Sequence, residues 1–170
     1  MEKRHNILRG FMKLWVWQDA KKYYGLAYKI YGGFPSILFK VVSNQIACID
    51  SIHRNIAEGY CRKSKKEYLR YLDIAIASLG ESTSGNHVYL EAGQINEKEF
   101  ESLDKISFKL ENCLKKLISS LRAKKEEDWN DSFLAGESES NYNSSILDTG
   151  ITDRWTLRNL IVEGDSLPKN

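Results

Sequence analysis

Residues 96–123 read NEKEFESLDKISFKLENCLKKLISSLRA. Leu103, Ile106, Leu110, Leu114, Leu117 and Leu121 recur at steps of three and four, which places six aliphatic side chains on one stripe of an α-helix. Asn96 precedes the stripe and Glu99 follows it three positions later, the spacing of a helix start in which each side chain satisfies the other's orphan backbone N–H. This is the cleanest periodicity in the chain, and it sets the fold class: all-α.

Working back from it, Gly93 separates this helix from another that opens at Ser64-Lys65-Lys66-Glu67, a second start signal of the same kind, with Leu69, Leu72, Ile76 and Leu79 as its stripe. The second half of that segment carries Gly80, Ser82, Thr83, Ser84, Gly85 and Asn86. These are poor helix formers, so a kink or local fraying is expected there. Before it, Val42, Ile46, Ile49, His53, Ile56 and Tyr60 form a stripe in a segment beginning near Ser36. Earlier still, Trp17, Ala20, Tyr24, Ala27 and Tyr31 form another, ended by Gly32-Gly33-Phe34-Pro35, where glycine is expected to supply a left-handed turn. Pro35 and Pro168 are the only prolines, which favours long helices between them. Four amphipathic segments with short connections fold most simply as an antiparallel up-down-up-down four-helix bundle.

The chain has 170 residues, room for one core and an appendage but not for two ordinary domains. Its formal charge is +2, yet residues 126–170 hold ten acidic and three basic side chains, leaving 22 basic against 13 acidic in residues 1–125. We therefore divide it into a basic helical bundle, 1–125, and a polar, acidic extension, 126–170. The extension includes the linker-like GESESNYNSS and a short segment at 153–162, DRWTLRNLIV, suited to docking on a partner. A basic body with an acidic tail is the pattern of a polyanion binder whose tail competes for the same surface; it also serves solubility alone. Cys48, Cys61 and Cys113 are odd in number and widely spaced, which indicates neither a disulfide framework nor a zinc site. No leader-like or membrane-spanning apolar run is present, so a cytoplasmic location away from membranes is expected.

Positive charge concentrates in residues 54–70, where Arg54, Arg62, Lys63, Lys65, Lys66 and Arg70 face only Glu58 and Glu67. These six are the candidate contacts to nucleic-acid phosphates, at a helix–helix connection; a solvated helix tip has the same composition. Tyr60, Tyr68 and Tyr71 interleave them, as base stacking would need, although aromatic residues at helical spacing more often pack. His53 on an apolar stripe reads as a hydrogen-bonded core or interface residue before a metal ligand. His87 and Glu91 have metal-pair spacing but number only two, and Asp148-Thr149-Gly150 is too short a match to an aspartic-protease triplet to carry weight. Trp15 and Trp17 lie about 200° apart on a helix. One of them must therefore meet either a neighbouring subunit or the N-terminal segment.

LWVWQDA near the start and NIAEGYCRKSKKEYLRYLDIAIASLGE in the middle resemble the 23S rRNA-intervening-sequence proteins, whose relatives include accessory proteins of diversity-generating retroelements. The resemblance spans roughly residues 12 to 122. It implies an antiparallel four-helix bundle assembled as a ring-shaped homopentamer, bacterial, without enzymatic activity or cofactor. The retroelement relatives further imply binding of nucleic acid and a reverse transcriptase through a basic surface. Asn55, Ile56, Ala57, Glu58 and Gly59 occupy the family signature, and Ser64 and Glu67 its cap, beside the basic connection. Where family members usually carry proline this chain has His53, and the tail after residue 133 has no counterpart in the pattern. The expected function is a non-enzymatic oligomer that binds RNA, DNA or a nucleoprotein partner. The alternative is a structural adaptor ring that presents its C-terminal tails to a protein.

Overall fold

The computed structural model describes residues 10–124, and these hold five α-helices and no strand. The boundary at 125, the acidic extension, the 153–162 segment and the 148–150 triplet lie outside the described residues. A single-turn α1 (Gly10–Lys13) leads into α2 (Trp15–Tyr31); a 3-10 turn (Ser36–Leu38) leads into α3 (Phe39–Tyr60); α4 (Lys65–Glu91) and α5 (Glu97–Ala123) follow. Helix α2 packs on α3 and α5, and α4 also packs on α3 and α5, so the four long helices surround one core.

Helices α4 and α5 start at side-chain caps, whereas α2 and α3 start at Leu14 and Leu38 with no side-chain capping bond. Asn96 and Glu99 form the complete reciprocal box, with both bonds at 2.9 Å. At α4 the Ser64 hydroxyl accepts from the Glu67 N–H at 3.5 Å. Two ends differ from expectation. Gly32 is right-handed (φ −61°); α2 stops through tightened turns, Gly33 N–H to the Ile30 carbonyl at 3.3 Å and Phe34 N–H to the Tyr31 carbonyl at 3.0 Å, before Pro35. The left-handed glycine is instead Gly93 (φ +68°), after α4. There Gly93 N–H bonds the Leu90 carbonyl and Gln94 N–H the Tyr89 carbonyl, the paired pattern that closes a helix before a tight turn.

The core is aliphatic on α5, where Leu103, Leu110, Leu114, Leu117 and Leu121 are buried, and truncation of any one to alanine costs about 2–5 kcal/mol. On α2 the inward face is Val16, Ala20, Tyr23, Ala27 and Tyr31, so it is turned from the expected stripe; Tyr23 replaces Tyr24, and Val16 replaces Trp17. Helix α4 is turned similarly, burying Tyr68, Leu72, Ala75, Leu79, Ser82 and Asn86. It remains helical through the serine and glycine run to Glu91, where fraying was expected.

The reason is a buried polar cluster. Gln45 of α3 donates through Nε2 to the Ser82 carbonyl at 2.8 Å and to Asn86 Oδ1 at 3.0 Å. Tyr31 donates to the same Asn86 oxygen, while Asn86 Nδ2 donates to the Tyr23 hydroxyl at 2.9 Å. The Ser82 hydroxyl donates to the Leu79 carbonyl at 2.9 Å, so the Tyr23 hydroxyl, 3.3 Å away, is the donor in that pair. Gly85 makes room: a Cβ there would lie 2.4 Å from Gln45 Oε1. The residues that look like helix breakers in α4 are the partners of side chains on α2 and α3.

A buried carboxylate joins α2 to α5: Asp19 is met by Lys109 Nζ at 2.9 Å, with Lys22 at 3.6 Å. Trp17 is half-buried, edge-on to Phe11 at 5.5 Å and to His53 at 6.5 Å, so the N-terminal segment covers it. Trp15 stays 43% exposed. His53 is half-buried, bonded through Nε2 to Asp50 Oδ1 at 2.9 Å, and α3 runs unbroken through it. His87 packs on Phe100, and with Glu91 it gains no third metal ligand among the described residues.

Candidate nucleic-acid interface

The α3–α4 connection depends on Gly59. A Cβ at this position would lie 2.8 Å from both Tyr68 Cδ2 and Tyr71 Cβ, so only glycine lets α4 approach α3 this closely. The other signature residues serve the same junction. Ile56 is fully buried; Asn55 donates to the Ser51 carbonyl at 2.7 Å and hydroxyl at 2.9 Å; the Ala57 carbonyl accepts the Cys61 N–H that ends α3. Glu58 and Arg62 pair one turn apart, and Arg62 lies over the Tyr71 ring at 5.0 Å while bonding its hydroxyl at 2.8 Å. Hydrogen bonds from Tyr71 and then Arg62 hold the Glu58 carboxyl below its ordinary range.

The six candidate cations have different surroundings, although Arg62 and Arg70 both lie at the Tyr71 ring. Arg54 is paired with Asp50 and Arg62 with Glu58, each a carboxylate one turn earlier. Lys65 is buried, and its ammonium donates to the Lys124 carbonyl, closing the end of α5. Lys63 is exposed at the connection. Lys66 and Arg70 line an open groove between α4 and α5, of about 740 Å³, together with Lys65, Leu69, Asp73, Ile74, Ala77 and Arg122. Arg122 comes from α5 and pairs with Asp73 at 3.4 Å.

Four cations and one carboxylate thus line the groove together with the apolar Leu69, Ile74 and Ala77. Sequence reasoning missed Arg122, fifty-two positions from Arg70 in the chain; its signal was its place at i+1 from Leu121 in the last turn of α5, on the side of the stripe that α4 covers. The tyrosines divide as packing predicts. Tyr68 is buried, Tyr60 meets it edge-on at 6.3 Å, and Tyr71 is stacked by Arg62, with Arg70 at 6.0 Å.

The signature, the cap and the helices they join all fall within residues 12–117, the span matched by the model of the 23S rRNA-intervening sequence protein family. The chain belongs to this family. No curated protein matches the chain. In this member of the 23S rRNA-intervening sequence proteins, the signature is a helix-junction motif: its glycine sets how near α4 comes, and its Glu58 holds an arginine in place. No described helix is long and apolar enough to cross a membrane.

Proposed function

We propose that this protein is a non-enzymatic, oligomeric, up-down-up-down four-helix bundle of the bacterial cytoplasm that binds RNA or DNA through the α4–α5 groove and the connection beside it. The observation that carries the reading is the groove itself, in which Lys65, Lys66, Arg70 and Arg122 outnumber Asp73 beside the apolar Leu69 and Ile74. Phosphates would meet Lys63, Lys66, Arg70 and Arg122, and bases would find apolar side chains between them. The antiparallel order is supported by which residues meet: Cys48 reaches the Ser78 carbonyl and Gly59 abuts Tyr68, so later residues of α3 meet earlier ones of α4. Exposed Trp15, Tyr28, Ile37, Phe39 and Phe108 support assembly into a homo-oligomer, a pentamer by family resemblance. Repetition of the groove around a ring would add avidity. A role as a retroelement accessory bound to a reverse transcriptase is the specific form of this proposal.

Fluorescence anisotropy with a labelled RNA hairpin and a DNA duplex across a salt series tests it. Three or four phosphate contacts per protomer predict a log–log salt slope of about −3 on duplex DNA. The slope should flatten in Lys66→Glu/Arg70→Glu. Absence of binding at low salt would remove the nucleic-acid reading and leave the adaptor ring.

A further inference from the structure

We propose that the α4–α5 groove takes single-stranded nucleic acid in preference to a duplex, with phosphates at Lys66, Arg70 and Arg122 and unpaired bases laid over Ile74 and Ala77. This preference rests on the nucleic-acid reading of the same groove.

The lining has two halves. Lys66 and Arg70 are four residues apart on α4, so both leave its outward face, about 6 Å from each other along the axis. Ile74 and Ala77 are exposed on the next two turns of that face, opposite the buried Leu72, Ala75 and Leu79. The Lys65 ammonium is bonded to the Lys124 carbonyl, which leaves Lys66, Arg70 and Arg122 as the cations of the lining that meet phosphate. Where the cationic half gives way to the apolar one, Asp73 pairs with Arg122 at 3.4 Å and its side chain stays 54% exposed. A carboxylate at that point interrupts a continuous track of phosphates. From Lys65 to Ala77 the lining follows about 18 Å of helix, room for about five nucleotides at the stacked spacing and fewer when the bases are spread.

A duplex and a single strand use these halves differently. A duplex brings phosphates to the cations, but its bases stay paired and stacked inside, and a persistence length of about 50 nm keeps it from bending along so short a site. Ile74, 37% exposed, and Ala77 would then lie against sugar and phosphate, which cover apolar surface poorly. A single strand turns its bases outward, and each base offers a flat face to apolar side chains and guanidinium planes. One helical turn separates Arg70 from Ile74, so a flexible strand sets a phosphate on the first and a base on the second. The alternation of charge and flat apolar surface along a strand thus matches the alternation along α4.

Fluorescence anisotropy of the full chain at low salt tests the preference with three labelled probes, each made in RNA and in DNA. They are a strand of about 12 nucleotides without self-complementarity, its duplex with the complement, and an abasic strand with the same number of phosphates. The intact strand should bind about tenfold more tightly than either of the others, the scale of one or two bases stacked on protein. Ile74→Gln removes apolar surface and no charge. It should bring the intact strand down to the affinity of the abasic one, while the abasic affinity and the salt slope stay as in the native chain. Its helical circular dichroism should match the native chain, since Ile74 is exposed. Equal affinity for intact and abasic strands, or a duplex bound as tightly as the strand, overturns the preference and leaves phosphate binding standing. A strand preference unchanged in Ile74→Gln puts the bases elsewhere and overturns it too. If no probe binds at low salt, the nucleic-acid reading itself fails and the preference falls with it.

Discussion

Replacing Asn86 with alanine removes the hub of the buried cluster. Asn86 Oδ1 accepts from Tyr31 and from Gln45, and its Nδ2 donates to Tyr23. After the substitution Gln45 keeps the Ser82 carbonyl at 2.8 Å, and Tyr23 still donates to Ser82 at 3.3 Å. Tyr31 does not recover: its hydroxyl proton has lost its acceptor in a side chain that is 1% exposed. One orphaned buried donor costs about 1–3 kcal/mol and the vacated volume adds roughly 1 more, so Asn86→Ala should destabilise by about 3 kcal/mol. For a domain of this size that lowers Tm by roughly 10 °C. Tyr31→Phe should cost only about 1 kcal/mol, since Asn86 Oδ1 keeps Gln45. The double variant removes donor and acceptor together and should cost about 2 kcal/mol, less than the sum. Urea unfolding followed by helical circular dichroism, at one fixed protein concentration, measures all three. Additivity within about 0.5 kcal/mol would refute the claim that these two side chains satisfy each other.

Gly59→Ala should cost about 1–3 kcal/mol, because the new methyl meets Tyr71 Cβ, which cannot yield without moving α4; the same urea titration checks it. Burial raises the hydroxyl pKa of Tyr23 and Tyr31 in the folded state above the ordinary 10.0, and pushes the Cys48 thiol up from 9.0 to about 12. All three groups are neutral in both states at lower pH and deprotonate first in the unfolded chain. Stability should hold below about pH 9 and fall progressively as pH rises past 10, less steeply in Tyr31→Phe; urea midpoints at pH 8 and pH 11 measure the difference. Cys61 is exposed at the end of α3 whereas Cys48 is buried and bonded to the Ser78 carbonyl at 2.9 Å. One thiol should react rapidly with an aromatic disulfide reagent, and Cys61→Ser should abolish that phase.

The family reading and the helix positions follow from local chemistry. Asn96 with Glu99, Ser64 with Glu67, and Pro35 act through bonds or clashes within a few residues, and the leucine stripe of α5 needs only its own spacing. The facing of α2 and α4 does not follow. Apolar periodicity favours Trp17 over Val16 and treats Ser82 and Asn86 as breakers. Yet a phenol, an amide and a hydroxyl can be buried once each finds a partner, and these partners lie between 37 and 63 residues apart in the chain. The candidate site divides in the same way. Lys66 and Arg70 were legible as a charge cluster. The pairs Asp50–Arg54 and Glu58–Arg62 follow from i,i+4 spacing within α3 and its end, whereas only tertiary structure decided that Lys65 closes α5 and that Arg122 completes the groove. Sequence alone determined which segments are helices, because caps and stripes act over one or two turns. The packing of α4 against α3 and α5 decided which polar groups are paired, since hydrogen bonds and charge pairs depend on distances in space that spacing along the chain does not encode.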